Sequence, residues 1–428
     1  MLYAVDAHDG AEPQPSTLNP QPSTLNPQPS TLNQVANHFV AWGPDSQLQL
    51  VQDSAPTAPE ARGGSLSLGT LLWWHNISSN AYWAERPIKW SGDGKVIFAA
   101  TETHLEALAA SNGTTLLNQK PETRNSKLET LNPKAETRWT FARGSVVSTP
   151  AIHPQSGVLY VASDDTLYAV AWVSGQKEER VLWTFFAGSG MSTSPPALSP
   201  AGDVVYCFAK NGAELLYAVS ALDGSEIWRY SVTSSMSTSQ PRGPITVSRD
   251  GNKLVAVNSD GTARWTHGTG NAIVSSATTS YDDATVFFTC WDGYLYAVNA
   301  QTGERRWRVN TGDHYAPPLL SRDGAVVMTN SGGLHAHDSA TGVLLWKSNI
   351  PDNTYYSVGC FSADDSTVFM PFGRHADNKM SIGAFNRSTG ELQWSAEVDG
   401  GFGFHLSLSP DGTMLTSGSA AFATGFRA

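Results

Sequence analysis

One short pattern recurs along this chain and limits what it can fold into. Alternating apolar residues are followed by a turn ending in glycine, three more residues and a tryptophan. The clearest copies are LYAVSALDGSEIW (216–228), LYAVNAQTGERRW (295–307), LHAHDSATGVLLW (334–346) and IGAFNRSTGELQW (382–394). Alternation with period two is typical of a strand with one buried face, and glycine permits the positive φ of a tight turn. Each copy therefore predicts a strand–turn–strand unit that ends at a tryptophan.

Weaker and interrupted copies extend the pattern to eight repeats of about 43 residues. The repeat tryptophans, to which we assign a structural packing role, are Trp73, Trp139, Trp183, Trp228, Trp265, Trp307, Trp346 and Trp394. Each repeat also has one turn signal, at 91–94, 153–157, 199–202, 248–251, 280–283, 321–324, 362–365 and 409–412. Four strands in about 43 residues is the size of a β-propeller blade. The sequence therefore predicts an all-β, eight-bladed β-propeller that forms a single domain over residues 1–428.

Two features complicate this ring. Between Ser248 and Trp265 only one strand fits where other repeats hold two, which indicates a three-stranded blade. The last repeat ends in GSAAFATGFRA without an LYAV-type strand or a closing tryptophan. LYAV (2–5) and GTLLW (69–73) stand at the other end of the chain, so we predict that these N-terminal strands complete the last blade. Closing the ring in this way would remove two open sheet edges.

Low-complexity sequence interrupts the repeats in two places. Residues 14–33, within an insertion loop at 11–68, repeat the heptad QPSTLNP, and residues 118–138 are a charged version of it. Proline in almost every unit opposes a helix, and few apolar side chains are available for burial. Both segments are predicted to be disordered. They are interpreted either as a linker or docking tail, or as an expanded tandem nucleotide repeat without a function.

Composition excludes several classes of protein. The chain has 38 acidic and 27 basic residues, a net charge of −11, and no run of Lys and Arg, so no nucleic-acid partner is expected. No apolar stretch approaches the roughly 20 residues of a membrane span, and the start MLYAVDAHDG does not resemble a signal peptide. We expect a monomer with a protein or peptide partner. The sequence does not indicate a cellular compartment.

The repeat unit A-x-[DN]-x-x-[TD]-G-x-x-x-W resembles the docking motif of pyrroloquinoline-quinone (PQQ) repeats, with good matches at 218–228, 297–307, 336–346 and 384–394. That family includes quinoprotein dehydrogenases and the BamB-like lipoproteins of the bacterial outer-membrane assembly machinery. The resemblance implies an eight-bladed propeller and does not by itself imply a function. WD repeats are the nearest alternative, but Trp291-Asp292 is the only Trp-Asp pair and Gly-His is absent.

The residues expected of a quinoprotein enzyme are missing. Cys207, Cys290 and Cys360 stand singly, without the vicinal cysteines usual beside PQQ, and are interpreted as buried apolar residues. The aspartates near the turns are interpreted as turn caps rather than calcium ligands. His335 and His337 have metal-like spacing but no further ligand in view. We therefore expect no catalytic residues, no metal and no PQQ or calcium. The chain is interpreted as a non-catalytic interaction or ligand-binding scaffold, the alternative being a degenerate quinoprotein with PQQ in its central funnel.

The predicted binding surface is one mouth of the central channel, because the first strand of each blade lines the axis. Its residues are Tyr82, Trp83, Met191, Met236, His314, Tyr315, Tyr355, Tyr356, Phe404 and His405, with the smaller or polar Ser148, Ser192, Ser237 and Asn271 beside them. Aromatic walls with a few polar groups are typical of ligand pockets and protein interfaces. The alternative is that these side chains only fill the channel.

Overall fold

Strands account for all the regular secondary structure in the described part of the chain. The computed structural model describes residues 71–76, 88–101, 104–110, 137–142, 148–172, 180–188, 195–211, 213–232, 252–273, 277–312, 316–330, 333–348, 358–374, 379–399, 405–418 and 422–427. Within these ranges, strands form seven four-stranded sheets and one two-stranded sheet. The chain is all-β, with its sheets in a β-propeller arrangement, as the repeat predicts. No helix that could cross a membrane occurs among these residues.

The strands follow the sequence repeats closely. The first of them are β1 (Leu71–Asn76), β2 (Lys89–Trp90), β3 (Val96–Ala100), β4 (Leu105–Ala109), β5 (Thr137–Phe141), β6 (Ala151–Ile152), β7 (Leu159–Ser163), β8 (Thr166–Ala171), β9 (Arg180–Phe186), β10 (Ala197–Leu198), β11 (Val204–Asn211), β12 (Ala213–Ser220), β13 (Glu226–Val232), β14 (Lys253–Val257) and β15 (Ala263–Gly268). Strands β2–β5, β6–β9 and β10–β13 form antiparallel sheets of four, and β14 pairs with β15.

The later repeats give the remaining four sheets. Their strands are β16 (Thr278–Thr279), β17 (Thr285–Thr289), β18 (Tyr294–Asn299), β19 (Arg305–Asn310), β20 (Leu319–Leu320), β21 (Val326–Asn330), β22 (Leu334–Asp338), β23 (Leu344–Lys347), β24 (Cys360–Phe361), β25 (Thr367–Arg374), β26 (Lys379–Asn386), β27 (Leu392–Asp399), β28 (His405–Leu408), β29 (Met414–Gly418) and β30 (Phe422–Arg427). Strands β16–β19, β20–β23 and β24–β27 form one sheet each, and the last sheet has the order β1-β30-β29-β28.

The repeated Ser-x-Asp turn joins the first two strands of most sheets. In the turn at 321–324, the Ser321 hydroxyl donates to Asp323 Oδ1 at 2.7 Å and accepts from the Val326 N–H at 2.8 Å. Asp323 Oδ1 also accepts from the Ala325 N–H at 2.9 Å. The turns that begin at Ser91, Ser362 and Ser409 have the same arrangement. These carboxylates therefore cap turns, because they satisfy backbone donors that no strand partner reaches.

Five of the eight repeat tryptophans pack against the turn of the next sheet. Trp307 Nε1 donates to the Ser339 carbonyl at 3.1 Å, and a Cβ added to Gly342, whose φ is +77°, would lie 2.8 Å from the Trp307 ring. The same tryptophan–glycine packing joins Trp183 to Gly224, Trp228 to Gly261, Trp265 to Gly303 and Trp346 to Gly390. Each indole thus covers the turn of the following sheet, where only glycine leaves room for it. The Trp394 ring contacts Phe369, with 5.9 Å between centroids, while the side chains of Trp73 and Trp139 lie outside the described part.

The last sheet contains strands from both ends of the sequence. β1 pairs with β30 and places Trp73 opposite Gly425, so an N-terminal strand does complete this sheet. The expectation that the C-terminal run lacks a third strand is wrong: Phe422–Arg427 fills that position, because backbone pairing does not require the LYAV sequence. Residues 2–5 lie outside the described part.

One other boundary differs from the sequence prediction, and the expected three-stranded blade is only partly described. The repeat that ends at Trp265 shows two strands, and the strand expected to precede them falls within 233–251, outside the described part. The second insertion, predicted over 118–138, ends earlier, because Thr137 already pairs with Leu108 at the start of β5. Both low-complexity segments otherwise lie outside the described residues.

Candidate interaction surface and buried polar layer

The predicted channel mouth falls mostly outside the described part of the chain. Of its ten principal residues only His405 is described, together with the smaller Ser148 and Asn271. His405 begins β28 and is buried, and the N–H of the following Leu406 donates to the Val358 carbonyl at 3.0 Å. Ser148 is buried as well, whereas Asn271 is exposed. The channel mouth stays a prediction.

The three cysteines are buried and unpaired. Burial raises the pKa of the Cys207 and Cys360 thiols above their ordinary value. Burial also raises the pKa of Cys290, whose thiol donates to the Asn271 carbonyl at 3.2 Å. A thiol needs a lowered pKa to act as a nucleophile near neutral pH, so these environments oppose cysteine chemistry.

Two buried histidines lie on β22. Cross-strand pairing places His335 opposite Thr329 and His337 opposite Val327. Directly opposed residues of antiparallel strands share a face, and Val327 packs against Leu295 of the β16–β19 sheet. Both imidazoles therefore face that sheet, with 6.3 Å between their ring centroids, and they are only 7% and 3% exposed.

The polar atoms around these histidines are incompletely satisfied. Within the described part of the chain, Nε2 of His335, Nε2 of His337, the Thr329 hydroxyl and the Ser348 hydroxyl have no hydrogen-bond partner. Burial, with the nearby charge of Lys347, lowers the pKa of His335 to about 4, and burial lowers the pKa of His337. Both rings are therefore neutral near pH 7. The residues described hold no cluster of three or more His, Cys, Asp or Glu side chains suited to a metal ion.

A different polar cluster occupies the preceding sheet, where Asp292 follows the exposed Trp291. Asp292 Oδ2 accepts from the Tyr296 hydroxyl at 2.6 Å and from the Gly270 N–H at 3.0 Å. The Arg308 guanidinium lies 4.3 Å from the centroid of the Tyr294 ring, a cation–π geometry. Burial and the Asp292 carboxylate raise the pKa of Tyr296 to about 12. Tyr296 is therefore a protonated donor to Asp292, and the Asp292 carboxylate in turn bonds Gly270 in the connection after β15.

The outer strand of this sheet is basic. Arg305, Arg306 and Arg308, here called the β19 arginines, are exposed, and Arg264 lies on the neighbouring β15. Three of these four guanidinium groups donate to neutral acceptors: Arg306 to the Ala284 carbonyl, Arg308 to the Tyr296 hydroxyl, and Arg264 to Asn258 and Gln301. Among the described residues none of the four forms an ion pair. Asp292 and Asp282 influence Arg308 and Arg306 from a longer distance.

The outer strand of the next sheet begins with an apolar stretch and ends in the exposed Lys347. Val343, Leu344 and Leu345, here called the β23 triplet, are 61%, 52% and 51% exposed. The triplet follows Gly342, which packs against Trp307 and Val309 of β19. The β19 arginines and the β23 triplet therefore lie on neighbouring outer strands joined by this packing. Cross-strand pairing sets Arg308 opposite Tyr296 and Arg305 opposite Val298, on the face turned to the β14–β15 sheet and away from β23.

The shared repeat pattern does not reveal these outer strands, because the three residues between the turn glycine and the tryptophan vary from copy to copy. The difference between the copies at these positions is the signal. The copies read Ser225-Glu226-Ile227, Thr262-Ala263-Arg264, Glu304-Arg305-Arg306, Val343-Leu344-Leu345 and Glu391-Leu392-Gln393. One copy has two arginines after a glutamate, and the next is wholly apolar.

Comparison with known proteins places the chain among PQQ-type repeat proteins. The family model described as outer membrane protein assembly factor BamB matches residues 65–241 and 213–369. Tetrathionate hydrolase of Acidithiobacillus ferrooxidans is 26% identical over 258 residues, covering 57% of this chain and 47% of that protein. BamB of Shewanella oneidensis is 29% identical over 140 residues, covering 31% of this chain and 34% of that protein. The chain thus matches less than half the length of each of these two relatives.

Solved structures show the same fold at low identity. The crystal structure of BamB from Moraxella catarrhalis aligns with a TM-score of 0.57 and 14% identity, covering 85% of this chain and 98% of that one. The computationally designed Ika8 protein aligns with a TM-score of 0.59 and 13% identity, covering 84% and 100% of the two chains. Since the family model spans more than half of the sequence, the chain belongs to the PQQ-type repeat family of outer membrane assembly factor BamB.

Proposed function

We propose that this chain is a non-catalytic propeller that acts as a scaffold for another protein. The observation that carries the proposal is the β23 triplet, three consecutive apolar residues that are each at least half exposed at the start of an outer strand. Exposed apolar side chains grouped beside polar ones are typical of protein interfaces. Membership of a family described by an assembly factor supports this reading. The burial of the three cysteines and the neutral histidines agree with a scaffold, since none is prepared for catalysis.

We further propose that the repeats form a closed eight-bladed ring, with the repeat tryptophans sealing each blade against the next. The seven four-stranded sheets, the two-stranded sheet and the pairing of β1 with β30 support this arrangement. In this proposal the scaffold is a monomer that works without PQQ or calcium. The channel mouth, including Tyr315, Tyr356 and His405, would be a second contact site.

A catalytic role is the second candidate, and one observation favours it. The match to tetrathionate hydrolase covers 57% of this chain, nearly twice the share covered by the matched region of Shewanella BamB. In this alternative the propeller would retain the substrate class of that enzyme, or bind a quinone cofactor in its funnel.

Two measurements on the purified full chain separate the candidates. The first is tetrathionate consumption, together with retention of the PQQ chromophore after incubation with PQQ and calcium and then desalting. The second is chemical cross-linking in the producing cells, followed by reconstitution with each identified protein. A scaffold predicts a saturable complex with a defined partner, no turnover and no retained chromophore. Turnover of tetrathionate or stoichiometric PQQ retention, without a reconstituted complex, would contradict the scaffold.

A further inference from the structure

The β16–β19 and β20–β23 sheets meet along a seam with a small apolar core, here called the histidine seam. Among the described residues, the β20–β23 sheet places two buried apolar residues in this seam, Leu320 and Val327. His335 and His337 lie on the same face as Val327. The opposite face of the sheet packs on the β24–β27 sheet and contributes five buried apolar residues: Leu319, Val326, Met328, Leu334 and Ala336. The histidine seam therefore has less apolar burial to hold it closed.

Two imidazoles on one face distinguish this seam from the other described repeats. The residue after the strand alanine is His337 here, whereas in the other repeats it is apolar: Leu108, Val170, Val219, Val257, Val298 or Phe385. His335 stands where three repeats have tyrosine: Tyr168, Tyr217 and Tyr296. The neighbouring seam holds a single histidine, His267, which is only partly buried and whose Nδ1 lies 2.8 Å from the Gly303 carbonyl.

Protonation would give both rings a buried donor without an acceptor. Nδ1 of His337 lies 3.0 Å from the Gly342 carbonyl, which only accepts, so this nitrogen carries the proton of the neutral ring. Nε2 of His337 and Nε2 of His335 are buried without a partner among the described residues. In the charged form each Nε2 becomes an N–H donor, and a buried charged donor without an acceptor is costly. The closed seam therefore favours neutral rings.

The groups packed around the rings do not compensate a positive charge. The turn before β17 contributes the Tyr281 phenol, and neither of its aspartates is among the charges that act on the two rings. The facing sheet contributes side chains that do not ionise: Phe287, Leu295, Ala297, Trp307 and Val309.

The charged neighbours on the same sheet oppose protonation or face away. Lys347 pairs with His335, and its positive charge acts on that ring, as does His337. Asp338 pairs with Val326, on the opposite face, and caps its own turn. Two charged imidazoles with 6.3 Å between their centroids would also repel each other across a buried space. Parting the sheets would relieve this repulsion, because water would then reach both rings.

We propose that the histidine seam is an acid-operated switch: protonation of His335 and His337 parts the β16–β19 and β20–β23 sheets, while the seam between β20–β23 and β24–β27 stays closed. Opening separates Leu295 from Val327 and lifts the Trp307 ring from Gly342. The β23 triplet follows Gly342 and moves with its sheet, so acidity changes the surface that the outer strands present. This inference goes beyond the scaffold function and does not depend on it.

Thiol labelling of the full chain measures the opening. Val327 is buried in the seam, and Val327→Cys places a thiol there with a small change in volume. Cys207 and Cys360 are buried at two other seams and serve as internal controls in the same molecule. Each rate of reaction with dithiodipyridine is resolved by peptide mass spectrometry. It is then divided by the rate of the same thiol in the unfolded chain at the same pH, which removes the intrinsic pH dependence of the reagent.

Acid should open this seam selectively. The normalised rate of the introduced thiol should rise about 20-fold or more from pH 7 to pH 5, because an exposed imidazole has a pKa near 6.5 and burial lowers the pKa of His335 to about 4. The normalised rates of Cys207 and Cys360 should change less than about threefold. An unchanged rate at the introduced thiol, or an equal rise at all three thiols, overturns the proposal.

Matched variants assign the opening to the imidazoles. Val327→Cys is combined with His335→Tyr and His337→Val, the residues of the neighbouring sheet, and the rise in acid should then vanish. A rise that persists in this variant overturns the proposal. Ala297→Cys places a second reporter on the facing sheet, where the same rise is expected and its absence counts against the switch. Circular dichroism at both pH values checks that each variant is folded.

Discussion

Two neighbouring sheets, β16–β19 and β20–β23, share one strand arrangement and differ in the side chains at two sets of positions. In both, alanine on the third strand pairs with the repeat tryptophan: Ala297 with Trp307, and Ala336 with Trp346. A bulge follows each of these pairs. Where the first sheet has Tyr296 and Val298, however, the second has His335 and His337.

This contrast separates two kinds of position in the repeat. Leucine, alanine, glycine and tryptophan build the frame, because each fills a place in the sheet or against the next blade that other residues do not fit. The positions facing the preceding sheet, and the three after the turn glycine, tolerate different chemistry. In one sheet they carry a satisfied tyrosine–aspartate–arginine cluster and a basic edge. In the other they carry unpartnered neutral histidines and an apolar edge.

The largest change in the free energy of unfolding should come from the tryptophan–glycine contact that both sheets share. Gly342 and Gly157 both have positive φ, at +77° and +68°, but an added Cβ meets Trp307 at 2.8 Å only at Gly342. Gly342→Ala should lower the free energy of unfolding by about 3 kcal/mol, from backbone strain plus displacement of the indole. Gly157→Ala should cost about 1 kcal/mol, from strain alone. Urea denaturation measures both. Equal losses would show that the tryptophan–glycine contact adds nothing beyond the backbone requirement.

The histidine pair should make the β20–β23 sheet sensitive to acid. Because the folded-state pKa of His335 is about 4, below its unfolded value, the unfolded chain binds more protons between about pH 6.5 and pH 4. Stability is thus fully present above about pH 6.5 and falls as the pH drops towards 4, by about 2 kcal/mol for this residue. His335→Tyr with His337→Val copies the neighbouring sheet and should flatten this dependence.

The measurement is urea denaturation of both proteins between pH 7 and pH 4.5. Carboxylates titrate in both proteins, so the difference between the two curves isolates the histidines. Parallel curves would show that the imidazoles gain compensating contacts when they are protonated.

The tyrosine cluster of the β16–β19 sheet should give a smaller change in stability, and it titrates in alkali rather than in acid. Asp292→Asn removes the negative charge beside Tyr296 and should lower the pKa of that phenol from about 12 towards its ordinary value. The hydrogen-bond acceptor is retained, so the free energy of unfolding should fall by only about 1 kcal/mol. Alkaline absorbance titration, with Tyr296→Phe subtracted to remove the other tyrosines, reports the change. An unchanged midpoint would mean that burial alone sets this pKa.

The sequence predicts the sheets and their packing well but does not reveal the character of the outer strands, for a physical reason. The turn glycines and tryptophans recur because their contacts are the same in each repeat, so periodicity reveals the sheets and their inter-sheet packing. The strand Phe422–Arg427 was not predicted, because strand pairing uses backbone groups and this segment lacks the side-chain pattern of the other strands. The side chains of the outer strands were not predicted, because they differ from one copy to the next. A repeat is recognised from the residues that its copies share. The neutral state of His335 depends on burial against a neighbouring sheet, which spacing along β22 cannot show.

The smallest thermodynamic effect should come from the edge itself, where the two sheets differ most in chemistry. Leu344 is about half exposed, so Leu344→Thr removes little buried apolar area and should change the free energy of unfolding by less than about 0.5 kcal/mol. Self-association of the isolated chain should nevertheless fall, since an apolar edge strand favours pairing with other chains until a partner covers it.

Light scattering at increasing protein concentration measures this self-association, with Ile227→Thr as the matched control on an edge that already carries Glu226. If both variants reduced association equally, general surface hydrophobicity would be the cause rather than the uncovered edge of β23. A reduction confined to Leu344→Thr would assign the association to the apolar stretch at the start of β23, whose one charged residue, Lys347, lies at the end of the strand.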